Sequence, residues 1–150
     1  MRDVIFHKIY IGADHAGFAL KQCLIDFLEE NKIIVEDCGA LDTTPSNYAD
    51  LGHQVAFKIK NDPGSGGVLM CGTGIGISMA ANRHQGIRAA LCHNVYTTQC
   101  ARAHNDANVL ALGSRILDES MAKICLDIFL KTPFEGGRHT VRVNHIDGGI

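Results

Sequence analysis

Short apolar runs alternate with stretches of helical hydrophobic spacing along this chain and leave few folds open to it. Lys8 to Gly12 is a short apolar run closed by glycine, and Phe18 to Asn31 follows with helical spacing at Leu20, Leu24, Phe27 and Leu28. Ile33 to Cys38 reads as a second strand. Beyond a polar loop containing Pro45, the spacing of Leu51, Val55 and Ile59 predicts a helix over Tyr48 to Lys60. Asn61 to Gly67 reads as a turn, Val68 to Cys71 as a third strand, and Ile77 to Arg83 as a short helix behind a glycine-rich loop. Ile87 to Cys92 is a fourth strand, Val95 to His104 a helix, and Val109 to Leu112 a fifth strand. Asp118 to Lys131 closes the series as a helix, with Asp118 as its cap and Met121, Ile124, Ile128 and Phe129 on its apolar side.

Five strand-then-helix units in series imply a parallel sheet covered by helices on both faces. Right-handed crossovers then leave an α/β, Rossmann-like three-layer sandwich with a five-stranded parallel sheet. The polar tail from Pro133 to Ile150 carries one more short helix. No internal repeat or linker interrupts the 150 residues, so one domain spanning 1–150 is expected.

Charge and cysteine usage narrow the function classes. Fourteen Lys plus Arg against 16 Asp plus Glu leave a net charge of −2, a poor balance for gripping nucleic acid or a membrane surface. No stretch approaches the ~20 apolar residues of a membrane span. The N-terminus, with Arg2, Asp3 and Lys8, has no apolar run of signal-peptide length. The six cysteines include no CxxC pair. They read as free thiols of a reduced, cytoplasmic protein. Six of the seven arginines fall in the second half, which suits a small anionic ligand, although surface ion pairing is the plainer explanation.

In a doubly wound sheet the ligand lies beyond the carboxyl ends of the strands. Four segments stand out. In CGTGIGIS, Cys71 ends a strand, and Gly72, Gly74 and Gly76 let backbone N–H groups face a ligand or a forming oxyanion. A thiol at such a place has its thiolate supported by neighbouring N–H groups, and Thr73 adds a hydroxyl. The spacing is not the dinucleotide fingerprint; a tight turn is the bland alternative. GADHAGF puts Asp14 and His15 after the first strand, where Asp14 is equally suited to capping the next helix. ARAHNDAN gathers His104 and Asn105 between a helix and a strand. GGRHTVR sets Arg138 and Arg142 on one helical face, where two guanidinium groups repel unless an anion or water separates them. Among eight histidines no HExxH occurs, and pairs such as His139 and His145 lack a carboxylate or cysteine at ligand spacing, so no metal is expected.

Taken together, GADHAGFALK, NYADLGHQVA, CGTGIGISMAANR, the stretch from GIRAALCHNVY to ALGSR, and TPFEGGRHTVRV resemble the ribose-5-phosphate isomerase type B family of sugar-phosphate isomerases. The resemblance runs from about residue 8 to 146. Ala49 stands where that family usually has proline and Asn47 where it often has aspartate, both beside Tyr48.

The resemblance implies interconversion of ribose 5-phosphate and ribulose 5-phosphate through a cis-enediolate, without cofactor. It implies Cys71 as the base, Thr73 as the hydroxyl between O1 and O2, and His104 with Asp14 as the ring-opening acid–base pair. His15, Arg115, Arg138 and Arg142 would bind phosphate, with Asn105 and Tyr48 on sugar hydroxyls. It further implies a homodimer with active sites at the subunit interface, and leaves open pairing into tetramers. A hexose 6-phosphate (allose or galactose) is the alternative substrate. A non-catalytic phosphate-binding module is the alternative class; such a module has no need of a thiol, a hydroxyl and an acid–base pair together.

Overall fold

The computed structural model describes residues 3–148, and all five expected strands pair there in parallel. β1 (Ile9–Ala13) lies between β2 (Val35–Asp37) and β3 (Gly66–Cys71). Beyond β3 comes β5 (Val109–Gly113), then β4 (Ala89–Leu91) at the other edge, giving the order β2-β1-β3-β5-β4. Residues along each strand alternate between two helical layers, as the period of two requires. Ile9, Ile11, Val68, Met70, Leu110 and Leu112 pack with α1 (Phe18–Glu30), α4 (Val95–Ala103) and α5 (Glu119–Lys131). Tyr10, Leu69, Cys71 and Val109 pack with α2 (Tyr48–Lys60) and α3 (Ile75–Ala81). The chain leaves β1 toward one edge and later leaves β3 under the opposite layer. Their following loops therefore diverge and open a crevice at the carboxyl edge.

Several boundaries differ from the sequence reading. β3 begins at Gly66, inside the stretch read as a turn. Gly67 lies so close beneath α2 that a Cβ there would sit 2.5 Å from Ile59 Cδ1, so glycine here serves packing within a strand. β2 and β4 are shorter than expected; each is an edge strand with one partner. α3 begins two residues early, at Ile75, and ends at Ala81. The tail forms α6 (Arg138–Ile146), tied down by Arg88, whose Nη1 donates to both carboxylate oxygens of Asp147 at 3.0 and 2.8 Å. Asp118 caps α5 as expected, accepting from Met121 N at 2.8 Å. Among the described residues no helix is long and apolar enough to cross a membrane.

Candidate active site

The crevice between the loops after β1 and β3 is a cleft of about 540 Å³ lined by Asp14, His15, Tyr48, Cys71, Gly72, Thr73, Gly76 and Arg115, among others. Cys71 ends β3 and is nearly buried. The next residues turn sharply because Gly74 adopts φ +78°, a left-handed conformation that a side chain opposes. This turn aims the Gly74 N–H at Cys71 Sγ, 3.2 Å away. The Ile75 N–H donates likewise to Thr73 Oγ1 at 3.2 Å. Two loop amides expected to face a ligand oxygen are thus directed at the thiol and the hydroxyl themselves. The other glycines admit close neighbours. A Cβ on Gly72 would lie 2.8 Å from Arg115 Nη1, and Gly76 packs directly against the Tyr48 ring.

Asp14 does cap the turn that follows it: its Oδ1 accepts from the N–H groups of Ala16 and Gly17 at 3.0 and 3.2 Å. The same carboxylate lines the cleft, so the capping reading and the catalytic one describe one placement. His15 is clasped by Ser46, which sequence reasoning missed. The His15 N–H donates to Ser46 Oγ, and the Ser46 N–H donates to His15 Nδ1, both at 3.1 Å. Ser46 lies 31 residues away on a polar loop and carries no local signal. Asn47 Oδ1 accepts from Ala49 N at 2.9 Å and caps α2. Proline at 49 would have no N–H to donate, so the two unusual residues beside Tyr48 complement each other.

The remaining expected residues sit elsewhere. His104 ends α4, and its N–H donates to Cys100 O at 2.9 Å. That helix end lies at the amino edge of the sheet, ahead of β5. Cys71 lies opposite Gly113 at the carboxyl edge, whereas Val109 lies opposite Gly67 at the amino edge. Four strand steps of ~3.3 Å make that separation about 13 Å. Asn105 is beside His104 and lines a second cavity of about 760 Å³ with Arg88 and Asp147. Arg138 and Arg142 share a face of α6, with Arg142 Nη1 donating to Arg138 O at 3.1 Å. One chain therefore does not bring His104, Asn105, Arg138 and Arg142 into the cleft of Cys71.

His104 stacks on His139, ring centroids 4.3 Å apart and planes 11° from parallel. Among the described residues His139 Nε2 is buried without a hydrogen-bond partner, 3.7 Å from Glu135 Oε2. Burial first, then the positive charges of His104, Arg138 and Arg142, hold the His139 ring below its ordinary pKa, against a smaller opposite effect of Glu135. The sequence reading saw no carboxylate near these histidines. The structure corrects it, since ligand atoms of His104, Glu135 and His139 lie within 4.8 Å of one another. Nearly parallel rings so close cannot aim both in-plane lone pairs at one ion, and two guanidinium groups stand beside them. This cluster suits an anion better than a cation.

A thiol, a hydroxyl and a carboxylate around the switch point of a doubly wound sheet mark an enzyme acting on a small molecule. Residues 9–146 match the family model described as Ribose/Galactose Isomerase. Ribose-5-phosphate isomerase B of Escherichia coli (strain K12) is 44% identical over 139 residues, 93% of either chain. The structure of Clostridium thermocellum ribose-5-phosphate isomerase B superposes with a TM-score of 0.92 and 45% identity, covering 94% of this chain and 95% of that one. Ribose-5-phosphate isomerase B from Mycoplasma genitalium, solved with bound ribulose-5-phosphate, gives a TM-score of 0.90 at 40% identity and covers 95% of both. The chain belongs to the ribose/galactose isomerase family and is an isomerase.

Proposed function

We propose that this isomerase interconverts ribose 5-phosphate and ribulose 5-phosphate with Cys71 as the base. The observation that carries the reading is the Gly74 N–H directed at Cys71 Sγ inside the cleft, a hydrogen-bond donor aimed at the sulfur that would take the proton. The thiolate takes the C2 proton of the open-chain aldose, and the electron pair left behind forms the C1–C2 double bond as O1 takes up charge. Thr73 carries a proton between O1 and O2. Return of the proton from Cys71 to C1, with O2 becoming the carbonyl, completes the ketose. No atom is gained or lost, and no cofactor enters the balance.

Ring opening requires an acid–base group at the ring oxygen, the role assigned to His104 with Asp14. His104 comes from a second copy of the chain, along with Asn105 on the sugar and Arg138 and Arg142 on the phosphate, where His15 and Arg115 join them. The position of His104 at the opposite sheet edge supports this sharing. So does the apolar rim of the cleft, where Tyr48, Ile75 and Met79 are 45, 47 and 62% exposed. The functional unit is accordingly a homodimer. A pentose is favoured over a hexose by the named relatives with which this chain shares nearly its whole length.

The test is steady-state isomerisation by Cys71→Ala and Cys71→Ser. Both are expected to lose most of kcat while retaining substrate binding, the serine variant because its hydroxyl is a far weaker base. Wild-type kcat in Cys71→Ala rejects the assignment, and a higher kcat/KM for allose 6-phosphate than for ribose 5-phosphate rejects the substrate.

A further inference from the structure

Lys21 of α1 has no exposed surface. Its Nζ donates to Oδ1 and Oδ2 of Asp37 at 2.7 and 2.8 Å and to Ala40 O at 2.6 Å, which uses its three protons. Asp37 Oδ1 also accepts the Gly39 N–H at 2.9 Å, so the turn leaving β2 is folded around the ammonium group. That turn then exchanges two hydrogen bonds with Ala13: Ala13 N donates to Gly39 O at 2.7 Å and Ala40 N to Ala13 O at 2.6 Å. Ala13 is the residue before Asp14. The loop continuing from Ala40 ends at Ser46, which clasps His15. One buried cation therefore anchors the segment that bonds on both sides of the Asp14–His15 pair.

Stability alone does not account for a lysine here. It sits between Leu20 and Leu24 on the buried face of its helix, where an apolar side chain of equal volume would avoid desolvating a charge. What apolar packing lacks is direction: three N–H vectors fix one arrangement of the turn among many of similar compactness. We propose that Lys21 is a positioning residue for isomerisation, holding Asp14 and His15 at the cleft through the Asp37–Gly39–Ala40 turn. This rests on the roles given above to Asp14 and His15.

The double variant Lys21→Met with Asp37→Asn removes both charges without stranding either. It is expected to keep a Tm close to wild type and to lose about 10- to 100-fold in kcat/KM, the scale of a misplacement near 1 Å. Iodoacetamide labelling of Cys71, on the separate β3 loop, keeps its wild-type rate. Added to His15→Ala, the pair of substitutions produces a smaller further loss than it does alone, because one of the two residues it places is gone. Asp37→Asn alone strands the buried ammonium group and is expected to lower Tm as well, so the double variant is the one that separates placement from folding. Wild-type kcat/KM in the double variant, or a loss that is fully additive with His15→Ala, overturns the proposal. If Asp14→Asn and His15→Ala are themselves fully active, the roles of those residues fall instead. The placement is then read from the NMR signals of the His15 ring, which shift in the double variant if Lys21 places it and stay fixed if it does not.

Discussion

Mixing two inactive variants provides a quantitative test of the shared site. Cys71→Ala removes the proposed base and His104→Ala the proposed ring-opening group; each loss is expected to be of the order of 10²–10⁴-fold in rate. Homodimers of either variant therefore have little activity, His104→Ala being limited by spontaneous ring opening. The register puts Cys71 about 13 Å along the strands from the start of β5, the strand that follows His104, and in the proposed site one group comes from each copy. In a mixed dimer one site then holds both wild-type residues and the other holds neither. Random reassociation makes half of the dimers mixed, so the mixture recovers about a quarter of wild-type activity. Mixed dimers isolated with two different affinity tags recover about half. The assay is ribulose 5-phosphate formation after joint refolding or co-expression, with each parent alone as control. Mixed dimers no more active than the mean of the two parents would refute the sharing of groups between copies.

Gly74→Ala combines a left-handed backbone costing about 1–2 kcal/mol with a Cβ that would lie 2.6 Å from Leu91 Cδ1 and 2.8 Å from the Leu112 carbonyl carbon. With about 1–3 kcal/mol more for overpacking, Tm should fall by roughly 4–20 °C, and Cys71 should alkylate more slowly as its N–H donor shifts; a scanning calorimeter and peptide mapping check both. Among the wild-type thiols Cys71 is expected to label first at neutral pH and to be protected by ribose 5-phosphate. Burial pushes Cys38 up to about 11 and raises Cys23 and Cys92 above the ordinary thiol range. Arg138→Ala and Arg142→Ala should each raise KM roughly 10- to 100-fold, the worth of a charged hydrogen bond, while Tm barely moves; unchanged KM in both rejects the phosphate assignment. His84, 2.8 Å from His53, is held below the ordinary histidine pKa by burial first and then by the charge of His53. The unfolded chain therefore takes up a proton that the folded one resists. Urea midpoints should stay level above about pH 7 and decline as pH falls below about 6.5, the ordinary histidine pKa, and His53→Ala should reduce the decline.

What was legible in the sequence was mostly local. Cys71, Thr73 and Gly74 lie within four residues of one another at the cleft, and Asp14 caps the turn beginning at the next residue, so local spacing was enough to place them. Five strand-then-helix units in series announced a parallel sheet covered on both faces. Residues joined across the fold were not legible. Ser46 meets His15 only after β2 has paired with β1. His139 reads as one more polar residue of the tail until α6 folds back on the end of α4. Lys21 resembles any surface lysine of an amphipathic helix, because its acidic partner lies on a different element. Gly66 and Gly67 read as a turn, since nothing nearby in the chain reveals how closely α2 and Phe6 approach them.

The clasp between His15 and Ser46 also decides which tautomer of the imidazole is present. Because a backbone N–H donates to Nδ1, the neutral ring must carry its proton on Nε2. The neutral ring is then a hydrogen-bond donor at Nε2. In the phosphate role proposed for His15, an anion meets an N–H rather than a lone pair, with no added charge required. The loop backbone thus sets the polarity of the ring nitrogen left to a ligand, and an anion suits it where a cation or a second donor does not.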